Sequence, residues 1–544
     1  MRESAELNAI QLQIIWDRLL AVVEEQAQTL IRTAFSTTVR EAGDLSCGVF
    51  DTRGRMLAQA VTGTPGHVNA MAASVGYFLE KLPIENLKNG DVLVTNDPWH
   101  GTGHLNDFTV VTPVFRGEQT DETAVALFAA TSHIADVGGL GFGPDGRQVF
   151  EEGLNIPMTH LFREGVVNET LFEILRANVR DPLAAEGDLY SLTACNRAGA
   201  ASLIGILDEF KQQKLDVAGQ LIIDQSRKAM LEMIRQLPTG RWENLMRIDG
   251  YDQPVDLACS VQISEAGIEV DFAGTSGPSS NGINVPLTYT QAYASFGVRC
   301  MIGNEIPNNA GSLSVVNVQA PADCILNAQR PAAVSARHAI GQMLPDVVLG
   351  CLEQVLDNKV PAEGASCLFG PVFLGGRGLI SGSDSDPFVM NAFYAGGTGA
   401  RPSKDGLSCT AFPSGVRSTP VEISENAAPL IIWQKEFKQG TGGEGEFRGG
   451  LGQIMEFGHA DGEAFAVSNM FDRVHHPARG RQGGQAGATA KVYVNDGTVL
   501  RGMGREHIPA GKTMVLETAG GGGLGEPQKR KQTAIESDQL NELI

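Results

Sequence analysis

The chain has 544 residues, 42% hydrophobic and 19% charged, with a formal charge of −21. That length exceeds one compact core, so roughly two to four domains are expected. The acidic balance opposes a nucleic-acid or anionic-membrane surface. Eight cysteines are scattered with no CxxC pair, which argues against a disulfide framework or a thiolate zinc ribbon. No run approaches the ~18 apolar residues of a membrane span, and MRESAELNAIQLQ lacks the regions of a signal peptide. The expectation is a soluble cytoplasmic protein.

In chain order, Ile10, Ile14, Ile15, Leu19, Val22, Val23, Leu30 and Ile31 fall near a 3.6-residue period, which predicts one long helix from Leu7 to about Arg40. CGVFD, TRGR and MLAQA read as strand, turn and strand. A helix follows from about Val68 to Leu82, then a strand over 91–95 that feeds the loop NDPWHGTGHLND (96–107). FTVVTPVF (108–115) and AVALFAAT (124–131) form a hairpin about a polar loop, Arg116 to Glu122, and lead into SHIADVGGLG. Residues 168–237 are helix-rich, and short strands and turns dominate beyond Pro238. Pro331 to Leu356 is a helix-bearing insert, the chain from about Ala427 to Pro527 is Gly-rich and strand-rich, and the last segment is a candidate terminal helix. The fold class expected is α+β, multidomain with mixed sheets, divided at 1–240, 241–426 and 427–544.

If the hairpin pairs so that opposed residue numbers sum to about 239, Asp107 faces Ser132. His104 and Asp107 then come beside His133 and Asp136, among glycines. Two imidazoles and carboxylates without thiolate suit zinc, manganese or iron(II), with positions left for water or substrate. The competing reading is a Gly-rich turn whose histidines bond to backbone. His100 lies farther from the strand ends and is expected to affect substrate binding; Trp99 is a wall or core residue. Arg337-His338 opens a helical run, where an anion or carbonyl is received; a buried histidine bonded to backbone is the alternative. Cys47, near the site, reads as packing rather than as a nucleophile.

GGTGARPSKDG (396–406) and TAGGGGLGEP (518–527) lack the GxxxxGK[ST] form. They read as tight turns, or as loops lining a pocket or an interface between chains, and ATP binding is not assigned to this chain. No GxSxG elbow supports a serine hydrolase.

TLIRTAFSTTVREAGDLSCGVFDTRGRMLAQA, the NDPWHGTGHLND loop, SHIADVGG, EEGLNIP, RPAAVSARH and ETAGGGGLGEP together resemble the hydantoinase B/5-oxoprolinase family, from about residue 8 to 527. The resemblance implies a partner subunit similar to hydantoinase A that binds and cleaves ATP, in a hetero-oligomer. It implies hydrolysis of cyclic amides such as hydantoins and 5-oxoproline or, in the ketone-carboxylase relatives, carboxylation of a ketone. In those relatives a His-x-x-Asp pair and a later histidine hold a metal, a pattern that falls here on His104, Asp107 and His133. Asp44 in GDLS matches a position near that metal, with a strand cap as its plainer reading. Asp44 or Asp136 is then expected to orient or deprotonate water, and Glu152 to join polar recognition or sit in a solvated turn. Where relatives often carry Asp-Ser-Gly-Gly this chain has Gly440-Thr441-Gly442-Gly443, and FPSGVRSTP (412–420) replaces an Asn-rich segment. A scaffold whose metal only stabilises the fold is the third reading.

Overall fold

A computed structural model describes residues 7–61, 64–117 and 122–544. Helix α1 spans Ala9–Thr33, opened by a reciprocal cap in which Asn8 and Gln11 each accept the other's backbone N–H. It stops short of the expected Arg40 because the Phe35 and Ser36 amides donate to the Asp188 carboxylate rather than to the helix, and only a short α2 (Thr37–Arg40) follows. Strands β1 (Leu45–Phe50) and β2 (Met56–Gln59) pair about the Asp51–Arg55 turn. Helix α3 is Pro65–Lys81, three residues earlier at its start than the periodicity suggests, with proline in its first turn.

Strands β3 (Val92–Thr95), β4 (Asp107–Arg116), β5 (Thr123–His133), β6 (Thr159–Arg163) and β7 (Val166–Val167) complete an antiparallel sheet ordered β2-β1-β5-β4-β3-β6-β7. Most of the expected 116–122 loop lies outside the described residues. Helices α4 (Glu169–Asn178), α5 (Pro182–Glu209) and α6 (Asp216–Ile234) follow.

Both faces of the sheet are covered, so its central strands are nearly continuous apolar runs. Alternation sorts them: Phe108, Val110, Phe128 and Ala130 join the core with α1 and α5, whereas Val111, Leu127 and Ala129 join the core with α3. Each such fully buried large side chain contributes about 1.5–3 kcal/mol. By the same alternation Asp107 and His133 fall on the α3 side.

A second sheet, ordered β11-β10-β9-β8, is built from β8 (Gly240–Ile248), β9 (Val255–Ser264), β10 (Gly267–Asp271) and β11 (Val316–Gln319). It packs with α7 (Leu287–Met301) and α10 (Leu344–Leu352), between which come the short α8 (Ala310–Leu313) and α9 (His338–Gly341). A two-stranded sheet, two further four-stranded sheets and a terminal helix, Gln532–Leu540, complete the described fold. One hydrophobic cluster runs from Phe142 to Ala519 through these later sheets. The architecture is α+β and multidomain. Among the described residues no helix is long and apolar enough to cross a membrane.

The glycine-rich segments are packing devices. A Cβ on Gly521 would lie 1.9 Å from the Thr398 carbonyl oxygen, and one on Gly397 would lie 1.8 Å from that of Gly450. Backbone lies directly on backbone there, an approach only glycine permits.

Candidate metal centre

The β4–β5 pairing sets Asp107 opposite His133, not Ser132. Near the loop the opposed numbers do sum to 239 (Phe115 with Ala124); a bulge between Val114 and Phe115 makes the sum 240 from there to the site. His104 reaches the same point from the loop before β4. The three side chains are almost wholly buried, and one candidate ligand atom from each lies within 4.8 Å of the others.

The hydrogen bonds fix how these groups face each other. His104 Nδ1 lies 2.9 Å from the Ser335 carbonyl oxygen, which only accepts, so Nδ1 carries a proton. Burial, then the Arg337 charge, lowers the His104 pKa to about 3, so the ring is neutral and its Nε2 is a lone pair. That lone pair lies 2.6 Å from Asp107 Oδ1, and His133 Nδ1 lies 3.2 Å from the same oxygen. Two acceptors at 2.6 Å repel unless both face one cation, and among the described residues His133 Nε2 has no hydrogen-bond partner. An imidazole tied through its other nitrogen to a backbone carbonyl is the usual support of a metal-ligating histidine. The donor set fits a first-row divalent ion.

Asp107 Oδ2 is occupied by protein. It accepts from Thr102 Oγ1 at 2.8 Å and from Arg337 Nη2 at 2.5 Å, and lies 3.0 Å from His67 Nε2. Burial opposes the Asp107 charge, but the charged groups beside it, His67 and Arg337 among them, hold its pKa well below the usual carboxylate range. Arg337 is itself fixed by the Thr102 carbonyl and by the Tyr289 ring, 4.2 Å away. His67, from the first turn of α3, links Asp107 to Asp44, whose Oδ1 lies 3.4 Å from His67 Nδ1 and accepts from Thr64. Burial works against a charge on His67, but the two carboxylates outweigh it and raise its pKa. Asp44 precedes β1, and its carbonyl accepts the His133 N–H.

The other expected residues lie apart from this hub or at its edge. Asp136 pairs with Arg180 and accepts from the Gly138 amide, in a separate cleft with Asp188. His100 is exposed, bonded to Asp97 and edge-on to Tyr77, beside another cavity of about 460 Å³. Glu152 is buried and accepts the Val334 and Ser335 amides on Oε1; burial pushes its pKa up to about 8. His338 is buried, with Nδ1 unpartnered among the described residues; Phe142 lies 5.6 Å from its ring and also touches His104 and His133. Trp99 donates to the Ala328 carbonyl as a wall residue. Cys47 is buried in β1, its thiol pushed up first by burial, as packing requires.

Sequence reasoning passed over His67 and Thr102. Thr64-Pro65 is a helix-start signal, and reading it would have put His67 in the first turn of α3. Nothing local marked Thr102.

The hydantoinase B/oxoprolinase sequence profile matches residues 8–527. One chain of a putative D-/L-hydantoinase from Pseudomonas sp. is 27% identical over 99% of this chain and 93% of its own length. The crystal structure of ATP-dependent caprolactamase from Pseudomonas jessenii superposes with a TM-score of 0.86 at 21% identity, covering 99% of this chain and 95% of that one. A nucleotide-free acetone carboxylase structure superposes equally well, with a TM-score of 0.86 at 17% identity, over 98% of this chain and 78% of that one. Fold, motif order and the matched span agree: the chain belongs to the hydantoinase B/oxoprolinase family.

Proposed function

We propose that this chain is the part of an ATP-dependent cyclic-amide hydrolase that supplies a metal-assisted hydrolytic site, while a hydantoinase A-like partner phosphorylates the substrate. The observation that carries the reading is the His104 Nε2 lone pair set against Asp107 Oδ1, which calls for a cation. His104, Asp107 and His133 would hold a divalent ion, with zinc, manganese and iron all compatible. Such an ion polarises a carbonyl and favours ionisation of water at neutral pH.

The surrounding residues have definite tasks under this reading. Ser335 fixes the His104 tautomer, and Arg337 with Thr102 holds the Asp107 carboxylate ionised and in one orientation. The Asp44–His67 pair stands beside Asp107 and is placed to take and pass a proton. Asp136, held by Arg180, acts by shaping the loop after β5 rather than at the reacting atoms. Phosphorylation of the amide oxygen on the partner creates a leaving group, which a resonance-stabilised ring otherwise lacks. The backbone-on-backbone packing at Gly521 and Gly397 supports placing ATP on the partner.

Co-purified with its hydantoinase A-like partner, the chain should couple ATP cleavage to opening of 5-oxoproline or hydantoin. Turnover dependent on a ketone plus bicarbonate would replace this reading with the carboxylase one. ATP cleavage by the isolated chain would overturn the division of labour.

A further inference from the structure

Phe142, whose ring touches His104 and His133, also lines a cavity of about 240 Å³, with Asp145, Glu152, Leu374, Ser468 and Arg505. One wall is a sheet face. Ser468 stands opposite Arg505 on one neighbouring strand and opposite Val372 on the other, so these side chains rise together with Leu374, two residues beyond Val372. The other wall is the loop after β5 and the buried Glu152.

The polar atoms of this cavity are unevenly used. Glu152 Oε1 takes two backbone amides, but among the described residues Glu152 Oε2 and Ser468 Oγ have no hydrogen-bond partner, although the residues are only 3% and 5% exposed. Buried carboxyls and hydroxyls are normally paired, so two orphan atoms on residues that line one cavity point to a ligand. Asp145 is engaged by the Tyr251 hydroxyl at 2.6 Å. Arg505 lines the cavity and is exposed, and among the described residues it has no ion-pair partner. Kept protonated by burial, Glu152 offers a hydrogen-bond donor rather than a charge.

We propose that this cavity binds a small molecule bearing a carbonyl and a carboxylate, the carbonyl oxygen accepting from Glu152 and Ser468 and the carboxylate meeting Arg505. The site stands on the cavity and its unpaired atoms; the choice of a lactam carboxylate or its ring-opened product as occupant rests on the ring-opening reading. Phe142 is the shared wall, 4.8 Å from the His133 ring, so an occupant sits next to the metal centre.

Titration calorimetry on the full chain, without ATP or partner, tests it with 5-oxoproline, glutamate and 2-pyrrolidone. The proposal expects 5-oxoproline or glutamate to bind, the tighter of the two marking the occupant as substrate or product. Arg505→Gln should weaken the carboxylates at least about tenfold and leave 2-pyrrolidone unchanged, because a charged hydrogen bond is lost only with the carboxylate. Ser468→Ala should weaken all the probes that bind. Absence of binding by both carboxylates, or variants that bind as wild type does, would overturn it. Because Arg505 is exposed, Arg505→Gln keeps the test clear of folding defects. His104→Ala should retain this binding while ring opening is lost, so ring opening that persists in His104→Ala with binding intact would count against the hydrolytic reading alone.

Discussion

Asp107 and His133 stand directly opposite each other across β4 and β5, with Asp107 Oδ1 3.2 Å from His133 Nδ1. The carboxylate between them divides its work: Oδ1 faces the two histidine ligands and Oδ2 is held by Arg337, Thr102 and His67.

That division makes Asp107 structural as well as functional. Asp107→Asn leaves the buried Arg337 guanidinium without its charge partner, and breaking a buried pair costs about 3–5 kcal/mol. Chemical denaturation should show a loss of that order, and Arg337→Met should lose a similar amount. A loss below about 1 kcal/mol in both would show that the pair is not the buried hub described.

The hairpin and the convergence of His104, Asp107 and His133 were legible because alternation and loop spacing constrain strand ends strongly. The exact facing was not, because the bulge at Val114/Phe115 has no local signature and moves the register by one residue. The break after Thr33 was equally hidden, since it is made by Asp188, far along the chain. Asp136 was close in sequence to His133, yet the guanidinium of Arg180, from the segment before α5, claims its carboxylate.

Asp44→Asn should separate chemistry from metal retention. A proton-handling role predicts full metal content with activity lowered about 10²–10⁴-fold. Activity within a few-fold of wild type would remove Asp44 from the reaction and favour the scaffold reading.

The glycine-rich segments make a stability prediction with an internal control. Gly521→Ala should fail to give folded protein, since its Cβ would lie 1.9 Å from a backbone oxygen that cannot move aside. Gly205→Ala, at an exposed position of α5 with nothing within 4 Å, should stabilise by about 0.5–1 kcal/mol. Thermal unfolding of both variants checks the pair; a folded Gly521→Ala protein would refute the close packing.

Glu152 predicts a pH dependence. Its folded pKa is raised from 4.5 to about 8, so the stability gained by burying the neutral acid is full below about pH 4.5 and is lost as pH rises towards 8. Glu152→Gln, neutral throughout, should match wild type near pH 5 and become the more stable protein by about pH 8. Parallel stability curves would show that Glu152 ionises normally.

The most direct measurement is the metal content of wild-type and His133→Ala protein, purified in parallel and analysed by element, with His100→Ala as the distant control. Wild type and His100→Ala should each carry close to one divalent ion per chain, and His133→Ala close to none. Full occupancy in His133→Ala, or a metal-free wild type that still opens the ring with its partner and ATP, would contradict the account.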